Sequence, residues 1–238
     1  MTKRNNKTKE VKETKFRKVR IDDLNTYNPL TSNQKKLFSL YDTGTNLVIH
    51  GVAGTGKSFS SLYLALEEVL EPSTPFKQLV IFRSAVATRN IGFLKGDEKD
   101  KIAVYEAPYQ SICEELFNKR EAYDALIEQE AIRFCSTSHN RGISLDKSIV
   151  YVDEMQNLTF HELDTIITRV GKQSKIIFSG DYEQSDLDAK DKSGIKDFLR
   201  ILKQMDSFKY VEFGVDDIVR SGLVKEYIIA KKAQTNER

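Results

Sequence analysis

Four stretches of this chain are short, apolar and largely β-branched: Leu47-Val48-Ile49, Gln78–Phe82, Ser148–Val152 and Lys175–Ser179. None alternates apolar with polar residues, so each predicts a strand buried on both faces. Between them the apolar positions switch to helical spacing. That spacing predicts helices opening at Thr31-Ser32-Asn33-Gln34, running through Phe59–Leu70, over about Ser111–Ala131, and from Thr159 to Gly171 as a C-terminal glycine. Thr31 with Gln34, and Thr159 with Glu162, have capping-box spacing. A weaker strand is predicted at Ile132–Cys135, then a helix near Ile195–Leu202, a strand near Lys209–Phe213 and a helix near Leu223–Lys232. Strands alternating with helices predict an α/β fold: a parallel sheet with helices on both faces. Arg83–Asp100 reads as a long loop, and loops of that length in compact domains are usually functional.

The 238 residues suit one domain, here 21–238, preceded by a basic arm over 1–20 that lacks periodicity and is expected to be disordered. That arm holds nine Lys or Arg against two Glu, a net of +7, which leaves −5 on the rest of a chain whose net charge is +2. A basic arm on a mildly acidic body suits a polyanion partner, or simply a solvated tail. Cys113 and Cys135 have neither disulfide-framework nor zinc-ligand spacing, and His50, His139 and His161 are scattered. No apolar run reaches membrane length. A soluble, cytoplasmic protein with no membrane partner is therefore expected.

The chemistry lies where strands end. After Leu47–His50 comes Gly51-Val52-Ala53-Gly54-Thr55-Gly56-Lys57-Ser58, followed at once by the helix of Phe59. This is the strand–loop–helix context of a P-loop. Its glycines let backbone N–H groups converge on an anion, the helix N-terminus adds positive potential, the lysine reaches the β- and γ-phosphates, and the serine hydroxyl ligates Mg²⁺. Gly51, Ala53, Gly54, Thr55, Gly56, Lys57, Ser58 and Phe59 are thus the expected ATP-binding residues. After Val152 come Asp153 and Glu154, a Walker B pattern: Asp153 to orient the metal with Ser58, Glu154 to act as general base. After Ser179 come Gly180, Asp181 and Gln184, and Gln184 could sense the γ-phosphate or the attacking water. Gln34 could read adenine through its amide, or serve only the helix cap. Phosphoryl transfer also requires a positive charge on the γ-phosphate. Arg220 is the first candidate and Arg169 the second, with Arg83 and Arg141 also available.

The ordered set resembles the PhoH-like ATPases, which are similar to the nucleotide-binding domain of superfamily 1 helicases. It comprises Gly51–Ser58, Arg83-Ser84-Ala85-Val86, Gly92-Phe93-Leu94-Lys95-Gly96-Asp97, Arg141-Gly142, Tyr151–Asn157, Thr168–Gly171 and Gly180–Leu187. The chain departs from the pattern at Ser84, where proline is usual, and at Ile195, where leucine is usual; the segment after Arg89 is short. It looks like the compact version found in tailed phages. The resemblance implies a RecA-like P-loop ATPase core that uses ATP and Mg²⁺. It further implies single-stranded RNA contacts through Arg83, Ser84 and Arg141, helicase-like remodelling, and a homo-oligomeric, hexameric ring in which a neighbouring subunit could supply the arginine. Two other readings remain open on the residues alone: a nucleotide-gated RNA-binding module with little turnover, and a P-loop kinase, for which no arginine-rich lid is evident.

Overall fold

The computed structural model describes residues 16–84, 98–136, 144–182 and 189–236. Among these residues six strands form one all-parallel sheet: β1 (Asn46–Gly51), β2 (Gln78–Arg83), β3 (Ile132–Ser136), β4 (Ser148–Asp153), β5 (Lys175–Gly180) and β6 (Phe208–Phe213). Their spatial order is β3-β2-β4-β5-β1-β6. The runs expected to be buried on both faces are so. β4 and β5 are buried along their whole length, and the four-residue cores of β2 and the centre of β1 likewise. Among the described residues seven α-helices accompany them: α1 (Ser32–Tyr41), α2 (Lys57–Leu70), α3 (Glu98–Phe117), α4 (Ala122–Glu128), α5 (Phe160–Ile167), α6 (Ala189–Leu202) and α7 (Gly222–Asn236).

Two apolar layers sandwich the sheet. One joins Leu37, Leu62, Leu66, Tyr109, Leu116 and Leu126 to the β1, β2 and β4 side chains that face them. The other joins Leu163, Ile166, Ile195, Phe198 and Leu202 to the opposite face. This is the α/β parallel sheet that the strand–helix alternation predicts and the RecA-like P-loop fold that the resemblance implies, and it places the C-terminal ends of β1, β4 and β5 side by side.

The structure corrects several boundaries. α3 begins at Glu98, well before the expected Ser111, and carries Pro108 inside it. The helical stretch to Ala131 is broken after Phe117, where Asn118 takes φ 50° and α4 begins anew. α5 stops at Ile167 with Thr168 as its cap, so Gly171 is not its terminating glycine. Gly171 is instead needed for space, because a Cβ there would lie 2.1 Å from Asp146 Oδ1. The arm expected over 1–20 ends in an anchored segment. Val19 is buried in the core, and its backbone exchanges hydrogen bonds with the Gln129 side chain, N–H to Oε1 at 3.0 Å and Nε2 to C=O at 3.3 Å. The remainder of that arm, 1–15, lies outside the described residues. Cys113 and Cys135 are free and buried. Among the described residues no helix is long and apolar enough to cross a membrane.

Candidate functional site

The P-loop is shaped by three left-handed glycines. Gly51 (φ 123°), Gly54 (φ 77°) and Gly56 (φ 80°) take a region that side chains disfavour. Gly51 is also pressed on β6: a Cβ would fall 2.0 Å from the Phe213 carbonyl oxygen. The loop's other residues brace it. Thr55, fully buried, donates from Oγ1 to the Val52 carbonyl at 3.0 Å. Val52 N–H donates to Phe213 O and Val219 N–H to Gly54 O, both at 3.1 Å. Ala53 is exposed at the crest. The first i→i−4 bond of α2 is Ser60 N–H to Gly56 O, so the N–H groups of Lys57, Ser58 and Phe59 precede the helical ladder and are available to an anion. The Phe59 ring itself packs edge-on to Tyr27, with centroids 4.8 Å apart, so only its backbone suits a phosphate.

Lys57 Nζ donates to the carbonyls of Gly51 (2.7 Å) and Val52 (2.8 Å), which hold the ammonium within the loop. Burial lowers its pKa, opposed by the charges of Asp181, Asp153 and Glu154. Those three carboxylates are near enough for their charge to act on the lysine. Ser58 Oγ lies 3.4 and 3.5 Å from the two oxygens of Asp153, so the P-loop serine and the Walker B aspartate, 95 positions apart in sequence, share one point in space.

Asp153 is 6 % exposed and densely held. Tyr151 O–H and Glu154 N–H donate to its Oδ1 (2.9 and 3.1 Å), and Tyr109 O–H donates to Oδ2 (2.9 Å). Glu154 adopts a left-handed backbone, φ 49°. Burial, reinforced by the charge of Asp153, pushes its carboxyl pKa up. Gln156 Nε2 donates to Glu154 Oε2, while Gln156 Oε1 accepts the Asp181 N–H at 3.0 Å. One buried amide thus ties the candidate base to the end of β5. Gly180 makes room for it, since a Cβ there would meet Gln156 Oε1 at 2.3 Å.

The remaining candidates divide. Arg83 pairs in register with Asp153 at the adjacent strand ends, and its guanidinium carbon lies 5.9 Å from the Tyr109 ring centre. Burial alone would lower its pKa; the neighbouring Tyr109, Asp153 and Glu154 outweigh it and hold the arginine charged. Arg83, half-buried, therefore lies beside the carboxylate cluster. Ser84 is buried. Arg220 is exposed and lies against the P-loop, with Cγ 2.9 Å from where a Cβ on Gly54 would sit. Arg169 is at the wrong edge for its own chain's P-loop. Its carbonyl accepts from Leu145 N–H beside the Leu145–Val170 bridge, ahead of the N-terminal ends of β4 and β5. Gln184 and Arg141 lie outside the described residues.

Gln34 is fully buried, and Thr31 Oγ1 accepts its backbone N–H at 3.3 Å. Its side chain does not complete a capping box. Nε2 donates to Thr55 O at 3.0 Å, and Oε1 accepts from Leu30 N–H at 2.7 Å and Tyr27 O–H at 3.1 Å. Gln34 is a strut under the P-loop. Sequence reading missed Tyr109 altogether, because 44 positions separate it from Asp153 and a tyrosine in a helix carries no chemical signature. Gln156 was visible only as part of Glu154-Met155-Gln156-Asn157.

A family model described as "PhoH-like protein" matches residues 26–231. The chain belongs to the PhoH-like family. The PhoH-like protein of Synechocystis is 34% identical over 188 residues, covering 78% of this chain and 56% of that protein. The PhoH-like protein of Mycobacterium leprae is 30% identical over 206 residues, covering 86% and 58%. The chain thus spans a little over half the length of these relatives. Among solved structures, the Pyrococcus furiosus Hef helicase domain is similar at 12% identity and a TM-score of 0.46, covering 75% of this chain and 38% of that one. In this PhoH-like chain the P-loop and the Walker B carboxylates thus lie together at one edge of the sheet.

Proposed function

We propose that the chain is a magnesium-dependent ATPase whose turnover is coupled to single-stranded RNA. The observation that carries this is the approach of Ser58 Oγ to Asp153, with the charges of Lys57 and Glu154 felt at the same place. A hydroxyl and a carboxylate are hard oxygen donors, and Mg²⁺ is typically held by one or two such groups together with phosphate oxygens and water. Among the described residues no cluster of three or more His, Cys, Asp or Glu competes for a softer or more fully caged metal. The donor set therefore fits magnesium. Bound there, the ion would neutralise charge on the β- and γ-phosphate oxygens.

This chain's residues supply the rest. The 57–59 N–H groups and Lys57 Nζ hold the phosphates. Glu154 Oε takes a proton from the attacking water; the water oxygen bonds to the γ-phosphorus as the bond to the β,γ-bridging oxygen breaks, leaving ADP and phosphate. A carboxyl whose pKa is raised by burial is a better proton acceptor than an ordinary glutamate. Arg83, charged beside Asp153 and Glu154, is the arginine best placed in cis to offset developing charge, with Arg220 second. Arg169, at the opposite edge, could act only on a neighbouring subunit's nucleotide, as the proposed homo-oligomeric, hexameric ring would allow.

The RNA part rests on the basic residues of the arm, a polyanion-binding composition, and on the family resemblance. The testing experiment is steady-state phosphate release by the full chain with ATP and Mg²⁺, with and without single-stranded RNA, beside Glu154→Gln. Turnover that RNA stimulates and Glu154→Gln abolishes supports the proposal. Binding of RNA that depends on nucleotide but shows no phosphate release would favour the gated module; release only with an added acceptor would favour a kinase.

A further inference from the structure

A parallel sheet has two unlike edges. The P-loop and the Walker B carboxylates occupy the edge where strands end. At the edge where they begin, Lys77, Lys147 and Lys172 lie shortly ahead of β2, β4 and β5, three neighbouring strands. Their backbones are joined directly. Lys77 N–H donates to Lys147 O at 2.7 Å, and Lys147 N–H donates to Lys172 O at 2.8 Å. Adjacent strands lie about 4.8 Å apart, so the three backbones fall within roughly 10 Å. All three lysines are exposed, and among the described residues none forms an ion pair. Asp146, beside Lys147, turns Oδ1 to the backbone, accepting Lys172 N–H at 2.7 Å. Like charges set this close repel one another, and an anionic partner would relieve that repulsion.

The basic arm reaches the same edge. Phe16 N–H donates to Glu128 Oε2 at 3.1 Å, and Val19 is bonded to Gln129, where α4 gives way to β3. Ala131, in that same connection, accepts Leu79 N–H at 2.8 Å. The root of the arm is therefore beside the start of β2, the strand that Lys77 precedes. Residues 1–15 carry six more Lys or Arg against two Glu. The nucleotide edge is remote from this one. β4 runs six residues from Ser148 to Asp153, about 20 Å at 3.3 Å each. Lys77 likewise stands at the opposite end of β2 from Arg83.

We propose that the edge where the strands begin binds the sugar-phosphate backbone of single-stranded RNA, held by Lys77, Lys147 and Lys172 together with the arm rooted beside them. Lysine ammonium groups on flexible stems hold phosphates as point charges and read no sequence. The proposal rests on the RNA reading for the identity of the polyanion and adds where it lies. Because that place is a strand's length from the P-loop, the grip is independent of bound nucleotide.

The test is anisotropy titration of labelled oligouridylate with the full chain over a range of salt. Wild type is compared with Lys77→Gln/Lys147→Asn/Lys172→Gln; asparagine is used at 147 because φ there is 49°, a region it tolerates. Each phosphate contact contributes about 0.7 to the slope of log affinity against log salt. The slope should therefore flatten by about two, and affinity at 0.1 M salt should fall about a hundredfold, equally with and without Mg·ADP. ADP affinity and RNA-free phosphate release should stay at wild type. Lys36→Gln/Lys196→Gln/Lys203→Gln removes the same charge from exposed lysines on α1, on α6 and just beyond it, and should weaken RNA by no more than several-fold. Equal losses from the two triple variants, or none from the first, overturn the proposal and leave RNA binding itself standing. Should the first variant melt early, Lys77→Gln/Lys172→Gln decides: about a twentyfold loss is expected, and unchanged affinity overturns the proposal. A wild type that binds phosphatidylserine vesicles but not RNA gives the edge to a membrane surface and overturns it too. A wild type that binds neither removes this surface and the RNA half of the proposed function, and leaves the ATPase half untouched.

Discussion

Replacing Gln34 by alanine separates a strut from a base reader. The side chain makes three hydrogen bonds: to the Thr55 carbonyl, from Leu30 N–H and from Tyr27 O–H. Thr55 is fully buried, so its carbonyl would be left without a partner, while the Leu30 and Tyr27 groups are close enough to solvent to recover water. Roughly 1 kcal/mol for each of the latter two and somewhat more for the buried carbonyl gives a loss of about 3 kcal/mol. For a chain of this size that lowers Tm by roughly 6–12 °C. The loop carrying Gly56 at φ 80° would lose the contact under it, so affinity for every ligand of the loop should fall. Thermal melts and calorimetry on Gln34→Ala are therefore expected to show a lower Tm and a roughly tenfold weakening of ADP and pyrophosphate alike, about what one such hydrogen bond to the loop is worth. An unchanged Tm, or a loss for ADP with pyrophosphate untouched, would refute the strut and return Gln34 to the base.

Glu154→Gln should cut phosphate release by about 10²–10⁴ while ADP affinity stays near wild type, as removal of a general base does. Because burial raises the Glu154 pKa and the base works only when deprotonated, activity should rise with pH through a midpoint above the usual glutamate range. Gln156→Leu, which removes the amide donor that lowers that pKa, should move the midpoint higher still, with kcat affected more than KM. Tyr109→Phe deletes one donor to Asp153 and should raise the Mg²⁺ concentration needed for half-maximal turnover, measured by magnesium titration of phosphate release, without changing pyrophosphate binding by the loop itself. Deleting 1–15 should flatten the salt dependence of RNA binding by removing basic residues at little cost in Tm; deleting 1–20 should also lower Tm, since Val19 is buried and bonded to Gln129.

What could be read along the chain, and what could not, follows from the range of the forces involved. The four main strands and the P-loop were legible because an uninterrupted β-branched run and a glycine-rich turn are local signals. β3 was fainter, with Arg133 interrupting its run. The start of α3 was not legible: Glu98–Lys101 is wholly charged and Pro108 resembles a breaker, yet the helix runs through both. Gly171 matched a helix stop by composition, but its cause is the close approach of Asp146, a tertiary fact. The place of Arg83 beside the carboxylates was hidden for the same reason. Only when β2 lies beside β4 does the register bring it to Asp153. The capping pattern at Thr31–Gln34 was half right, since the Gln34 backbone obeys it and the side chain serves a loop 21 positions away.

The most direct measurement is single-turnover phosphate release from ATP by the purified chain, wild type against Glu154→Gln, with magnesium present. The account predicts a burst of free phosphate from the wild type, faster with single-stranded RNA, and none from a variant that still retains bound nucleotide. Equal release from both proteins, or bound ATP that neither protein cleaves, would contradict it.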